Sequence, residues 1–319
     1  MVKNRSKICI IISLAIFALA IILSLTGNGI NEGIDFAGGM SMQYSMGKEV
    51  KAEEIRTVLN QMGLEGTVTV QGTNKDEVKI QIKDISKYTY ELTETTDTTE
   101  TNESALRVQM VQAGFEAAIK DTYPDAVAMG DVNYVGPVAG ATLIKNALLS
   151  VAIAAVLMLI YIAFRFDLNS GIAAVAGLVH DVLMMLAFMV LLRSIIQMNS
   201  SFIAAMLTIV GYSINNTIVI FDRIRENARK MGSETRENVV NRSIKECLGR
   251  TLTTTATTLV TIVMLYIMGV SSIKEFALPI IIGIVSGVYS ANMINGYVWA
   301  FLEEKRKARK AGAAAAKAA

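Results

Sequence analysis

The chain has 319 residues, 52% of them hydrophobic and 18% charged, with a mean hydropathy of +0.44 and a formal charge of +2. That much apolar side chain is too much for a soluble surface of this length and excludes a pair of ordinary soluble domains. Two cysteines, Cys9 and Cys247, offer no disulfide framework.

Six runs of about 18 or more residues are free or nearly free of charge, long enough to cross hydrocarbon as helices. They cover residues 8–25, 147–164, 171–192, 201–221, 252–270 and 276–302. The first follows Lys3, Arg5 and Lys7, as a signal peptide would. Its apolar part is too long for one and its exit lacks a small-residue cleavage site, so an uncleaved anchor over residues 1–27 is expected.

Segment 28–146 holds 18 acidic and 10 basic residues, whereas 222–250 holds 8 basic against 5 acidic. Lys and Arg favour the cytoplasmic side of short loops. The amino terminus, the turn at Arg165, segment 222–250 and the basic tail 303–319 are therefore expected inside. Six spans then return both termini to the cytoplasm of a multi-pass inner-membrane protein. Segment 28–140 becomes an extracytoplasmic domain between the first and second spans.

Within that domain residues 41–45, 67–71, 77–82 and 131–135 read as strands. Val78, Ile80 and Ile82 alternate with polar neighbours, as one buried sheet face requires. Ile55, Val58, Leu59 and Met62 recur at helical spacing, and a second helix is expected over 103–120 with Leu106, Met110, Ala113 and Ala117 on one face. The order β-α-β-β-α-β predicts an α+β ferredoxin-like domain. The stretch YELTETTDTTETNES (90–104), part of a loop placed near 88–104, has little to bury and reads as mobile.

The remaining five spans, 141–302, form a helical bundle. Its charged connector, near 222–250, is expected as one or two amphipathic helices on the inner membrane surface. The third span carries His180-Asp181 near its middle, and His180 is the chain's single histidine. A charge at mid-bilayer costs roughly 2.5–3.5 kcal/mol on insertion scales, so this pair should face the bundle interior and have partners. Two readings stand: a polar contact that fixes packing, or ion handling by an imidazole beside a carboxylate.

In the fourth span Ser213, Asn216 and Thr217 share a face, with Asn215 beside them and Asp222-Arg223 beyond. In the fifth, Arg250, Thr254, Thr258 and Thr261 form a stripe, read either as groups bonded to their own helix or as part of a polar seam. Gly283 and Gly287 in the sixth make a small-xxx-small pattern that lets helices approach. Ser290, Asn292 and Asn295 continue the polar theme. No phosphate-binding loop, metal cluster or hydrolase triad is seen, so work would draw on an ion gradient or a partner.

These motifs together resemble the SecF branch of the SecD/SecF family of protein-export membrane proteins. The residues that carry the likeness are NEGIDFAGG (31–39), VGPVAGATLIKNAL (135–148), LVHDV (178–182), GYSINNTIVIFDRIREN (211–227) and GRTLTTTATTL (249–259). The resemblance implies no enzyme and no cofactor. It implies a subunit paired with SecD, using a proton or sodium gradient to assist late steps of translocation through the SecYEG translocon. YajC, YidC, the translocating polypeptide and membrane lipids are the further partners it suggests, and nucleic acid is not among them. Arg250 matches the family's functional arginine.

Asn216 stands where the family has an ion-binding aspartate, and an amide cannot take up and release a proton. Three readings follow: SecD supplies the carboxylate, His180-Asp181 shares the task, or neutral oxygens from Asn215, Asn216 and threonines suit sodium, with Thr254 and Thr258 among the ion-pathway candidates. Asp35, Gly38 and Gly39 are expected as a tight turn where the first span meets the outer domain, with transmission of motion as the second reading. Against the export reading stand a lipid or drug exporter of the resistance–nodulation–division superfamily and a passive scaffold that stabilises SecD.

Overall fold

The computed structural model describes residues 2–72, 74–86, 88, 103–232 and 234–318. The chain divides into two compact units, Glu32–Asn146 and a second comprising Met1–Asn31 with Ala147–Ala319.

The smaller unit opens with a one-turn helix α1 (Ile34–Ala37) and strand β1 (Gly39–Ser45). Helix α2 (Ala52–Gln61), the hairpin strands β2 (Gly66–Gln71) and β3 (Glu77–Ile82), helix α3 (Glu103–Ile119) and the short strands β4 (Val127–Ala128) and β5 (Asn133–Val135) follow. The sheet order is β2-β3-β1-β4, with β5 also paired to β1, and every pairing is antiparallel. Strand β3 thus lies between β1 and β2, which are joined through α2. Met40, Met42 and Tyr44 from β1 and Val78, Ile80 and Ile82 from β3 bury against Ile55 and Leu59 of α2 and Val111, Phe115 and Ile119 of α3.

The face of α3 differs from expectation. Val111, Phe115 and Ile119 point inward and Ala117 is exposed. Both faces are spaced for a helix. Val111, Phe115 and Ile119 are bulky throughout, whereas the expected face joins Leu106 and Met110 to two alanines, so the rotation puts the bulkier face on the sheet and leaves Leu106 and Met110 half-buried. Segment 90–102 of the Thr/Glu-rich stretch lies outside the described residues.

Gly38 and Gly39 have φ of 76° and 119°. A Cβ at Gly39 would collide with the carbonyl oxygen of Ile82, so β1 can start against β3 only with glycine there. Asp35 sits in α1, immediately before this turn.

Among the described residues six helices are long and apolar enough to cross a membrane. They are α4 (Val2–Leu25), α5 (Pro137–Arg165), α6 (Leu168–Leu191), α7 (Ser200–Lys230), α8 (Arg236–Met268) and a last helix. That last helix runs as α9 (Ser271–Ser290), a five-residue π segment (Ala291–Asn295) and α10 (Gly296–Ala318). Here α4 precedes the smaller unit in the chain and is numbered with the bundle it joins.

Helices α6, α7 and α9 form the centre, and α4 packs along α6 through Ala20, Ala187 and Val190. A Cβ at Gly283 would strike Ile209, and one at Gly287 would lie 3.2 Å from the Cβ of Ser213, so both glycines set how closely α9 and α7 approach. Helix α7 ends at Lys230 and α8 begins at Arg236. The expected surface helices over 222–250 do not form separately: α7 and α8 run straight on past the apolar stretch. Extending a helix that is already nucleated adds a hydrogen bond per residue, whereas a separate surface helix needs a new nucleus. The charged extensions also tie to each other. Glu246 accepts from Arg223 (2.6 Å), Arg242 (3.0 Å) and Asn227 (2.8 Å).

Candidate functional site

The centre of the bundle is polar. Asp181 of α6 has no exposed surface. One carboxylate oxygen accepts from the hydroxyl of Ser286 (2.8 Å) and from Nδ1 of His180 (3.1 Å); the other accepts from Ser290 (2.8 Å) and Ser213. Four donors from α6, α7 and α9 therefore converge on one carboxylate, the arrangement that lets a charged acceptor lie in an apolar interior. Among the described residues the basic side chain beside it is His180, 10% exposed, and the two make an ion pair only when both ring nitrogens carry a proton.

His180 continues the chain outward. Its Nε2 lies 2.9 Å from the hydroxyl of Ser13 on α4, Ser13 lies 3.4 Å from the hydroxyl of Tyr289, and Tyr289 donates to the carbonyl of Cys9. The imidazole stacks on Tyr289 at 5.9 Å and meets the edge of Phe17 at 5.8 Å. With a proton on each ring nitrogen, His180 donates to Asp181 and Ser13, Ser13 donates to Tyr289, and Tyr289 donates to Cys9. With Nε2 bare, the single hydroxyl proton of Ser13 must choose between His180 and Tyr289. One proton on one nitrogen thus sets the hydrogen-bond direction across three helices, α6, α4 and α9.

Beyond Asp181 the seam runs along α7 and the π segment. The amide nitrogen of Asn295 donates to Thr217 at 2.9 Å and that of Asn292 to the carbonyl of Val288 at 2.8 Å. Asn216 is buried and its amide nitrogen has no partner among the described residues, nor have the amide oxygens of Asn292 and Asn295 or the hydroxyls of Thr251 and Thr255. A π segment adds a residue to a turn, and single-turn π bulges recur at functional sites. Here the segment brings Asn292 and Asn295 inward, the latter against Gly177 of α6.

The other sequence candidates lie elsewhere. Asn215, Arg250, Thr254 and Thr261 are exposed and Thr258 is half-buried. Thr254 donates to the carbonyl of Arg250 (2.8 Å), Thr258 to that of Thr254 (3.2 Å) and Thr261 to that of Thr257 (3.1 Å), each within its own helix. Asp222 pairs with Arg165 at 3.3 Å, and Arg223 pairs with Glu226 and Glu246 at the end of the bundle. Ser13 and Tyr289 were missed. The available signal for Ser13 was an isolated hydroxyl in an otherwise apolar run. For Tyr289 it was the position three residues after Ser286 on the same helix.

A model of the protein-export membrane protein SecD/SecF C-terminal region matches residues 114–305, and one of the SecD/SecF GG motif matches residues 23–50. The chain belongs to the SecD/SecF family. It is 35% identical to a protein translocase subunit SecF of Thermodesulfovibrio yellowstonii, over 89% of this chain and 86% of that one. It is 33% identical to a SecF of Vibrio alginolyticus, over 90% and 84%. A fused translocase subunit SecDF of Bacillus subtilis is 30% identical over 93% of this chain and 37% of its own length. The crystal structure of SecDF from Thermus thermophilus, a translocon-associated membrane protein, superimposes with a TM-score of 0.77 at 29% identity, covering 94% of this chain and 38% of that one. A role in Sec-dependent protein transport, in a multi-pass membrane protein, follows from these relatives and the six membrane-length helices.

Proposed function

We propose that this chain is the SecF half of a SecD–SecF pair that draws on an ion gradient to assist late steps of translocation through SecYEG. The observation that carries the pairing is the exposed polar stripe of α8. Arg250, Thr254, Thr257 and Thr261 face outward from a helix of membrane length, with the guanidinium at the edge of the apolar run 252–270. A second protein seated along this stripe would give the guanidinium an acceptor while the threonine hydroxyls stay on their own helix. The fused SecDF relatives make SecD the natural occupant. YajC, YidC and the moving polypeptide are further expected contacts.

In this reading the smaller unit is an extracytoplasmic ferredoxin-like domain and both termini are cytoplasmic. Support for the fold comes from β3 lying between β1 and β2 with helices in both crossovers. The ion-handling group of this chain is the His180–Asp181 pair. Asn216 cannot take up a proton, and the pair is buried, hydrogen-bonded and linked to α4 by a proton-dependent chain. SecD supplies the carboxylate opposite Arg250.

The test is reconstitution of the chain with SecD and the translocon in proteoliposomes, with export followed under an imposed gradient. Stimulation is expected, and it disappears on gradient collapse and in Arg250→Ala. If export is the same in all three conditions, the chain is a passive scaffold for SecD.

A further inference from the structure

At one end of the bundle, the α5–α6 turn, the last turns of α7, the start of α8 and α10 enclose a cleft of about 480 Å³. Five arginines line it, Arg165, Arg225, Arg229, Arg236 and Arg306, against two carboxylates, Asp167 and Glu303. Both carboxylates are already engaged. Asp167 caps α6 through Ser170, and Glu303 holds Arg306 (2.7 Å) and Asn169 (2.7 Å). Arg165 reaches out to Asp222 and lies 5.1 Å from the ring of Phe166.

That leaves Arg225, Arg229 and Arg236 with no ion-pair partner among the described residues. Nε and Nη1 of Arg236 are buried and have no hydrogen-bond partner among the described residues, nor has the indole nitrogen of Trp299, a residue 94% buried in the cleft wall. Every unmet group here is a hydrogen-bond donor. Buried donors without acceptors are costly, and guanidinium forks match the oxygens of phosphate. The complementary ligand is an anion with several acceptor oxygens.

One feature separates a lipid phosphate from a soluble one. Phe164, 90% exposed, stands at the rim of the cleft, and Ile160, Leu157 and Ile153 continue from it at helical spacing along α5, exposed by 48%, 61% and 50%. An apolar track therefore begins where the arginines end.

We propose that this cleft is a binding site for an anionic phospholipid, with its phosphodiester on Arg225, Arg229, Arg236 and Trp299 and its acyl chains along α5. Bound there, the lipid joins the ends of α7, α8 and α10, whose arginines otherwise repel one another. Its placement in the inner leaflet rests on the orientation proposed above; the site itself does not.

Trp299 is the single tryptophan of the chain, so its fluorescence reports this cleft alone. The full-length protein is placed in bilayers of phosphatidylcholine with increasing fractions of acyl-brominated phosphatidylglycerol, and separately with brominated phosphatidylcholine. The anionic lipid is expected to quench Trp299 at a lower mole fraction than the zwitterionic one. Arg229→Gln and Arg236→Gln should each reduce that preference about fivefold, while Arg236→Lys, which keeps the charge but not the fork, reduces it less. Equal quenching by the two lipids in the unaltered chain overturns the proposal without reference to any variant. A third arm adds glycerol phosphate in solution: relief of the quenching by the free phosphate would make this a site for soluble phosphates and overturn the lipid assignment. Neither SecD nor export enters the measurement, so its failure and that of the proposed function are told apart.

Discussion

Removing the carboxylate of Asp181 tests whether the buried pair holds the bundle, moves an ion, or both. In Asp181→Ala the hydroxyls of Ser213, Ser286 and Ser290 lose their shared acceptor, and Nδ1 of His180 loses its partner. Three of those bonds cross between helices. At about 0.6–1.7 kcal/mol for an interhelical hydrogen bond in a membrane, they sum to about 2–5 kcal/mol. That overlaps the loss of about 3–5 kcal/mol seen when one partner of a buried ionic pair is removed. Some of it returns as serines turn to their own helix carbonyls, a path Ser290 already has through Gly287 at 3.2 Å. Asp181→Asn keeps the shape and two lone pairs, and the serine hydroxyls can rotate to accept from its amide. Its cost is about 1–2 kcal/mol. Unfolding in mixed micelles by titrated dodecyl sulfate, followed through Trp299, measures both variants. Export under a gradient is measured in parallel. Asp181→Ala should lose about 2–5 kcal/mol, and Asp181→Asn should stay folded yet lose gradient stimulation. If Asp181→Ala unfolds within about 0.5 kcal/mol of the unaltered chain, the clamp is refuted. If Asp181→Asn exports normally, the ion-handling role is refuted and packing alone remains.

Gly39→Ala should cost about 2–4 kcal/mol in the smaller unit, because its Cβ meets the Ile82 carbonyl and its φ of 119° disfavours a side chain; protection of β1 and β3 amides from exchange reads this directly. Thr254→Ala should change unfolding by under about 0.5 kcal/mol, since its hydroxyl serves only its own helix, and a larger loss in the isolated chain would contradict that geometry. Two tyrosines predict alkaline behaviour. Burial, then the charge of Glu116, holds the Tyr44 hydroxyl well above its usual 10; burial, then the bond and charge of Glu54, pushes Tyr123 up to about 12. Both groups titrate higher in the folded chain, so their stabilisation is whole below pH 10 and is lost as pH rises from 10 through 12. Tyr123→Phe should flatten the fall in stability over pH 10–12, measured by thermal melts of the full chain.

Much of the architecture was legible because simple lengths and periods govern it. A helix must supply about 20 apolar residues to cross hydrocarbon, and alternation marked β3 residue for residue. What composition could not supply was the end of a helix whose apolar stretch stops but whose backbone does not, as in α7 and α8. Nor could spacing rank the two candidate faces of α3, where side-chain volume decided.

At the site, the sequence by itself determined that His180 and Asp181 lie in a membrane span and need partners, since a mid-bilayer charge left bare is too costly to keep. Which partners was a matter of tertiary structure alone. Ser13, Ser213, Ser286 and Ser290 come from 167, 32, 105 and 109 residues away along the chain. Helical spacing shows that Ser286 and Ser290 share a face but not what that face meets. The same limit separated the buried Asn216 from the exposed Asn215 and Arg250. Polarity says that a group must be satisfied, and only the packing of one helix on another decides by whom.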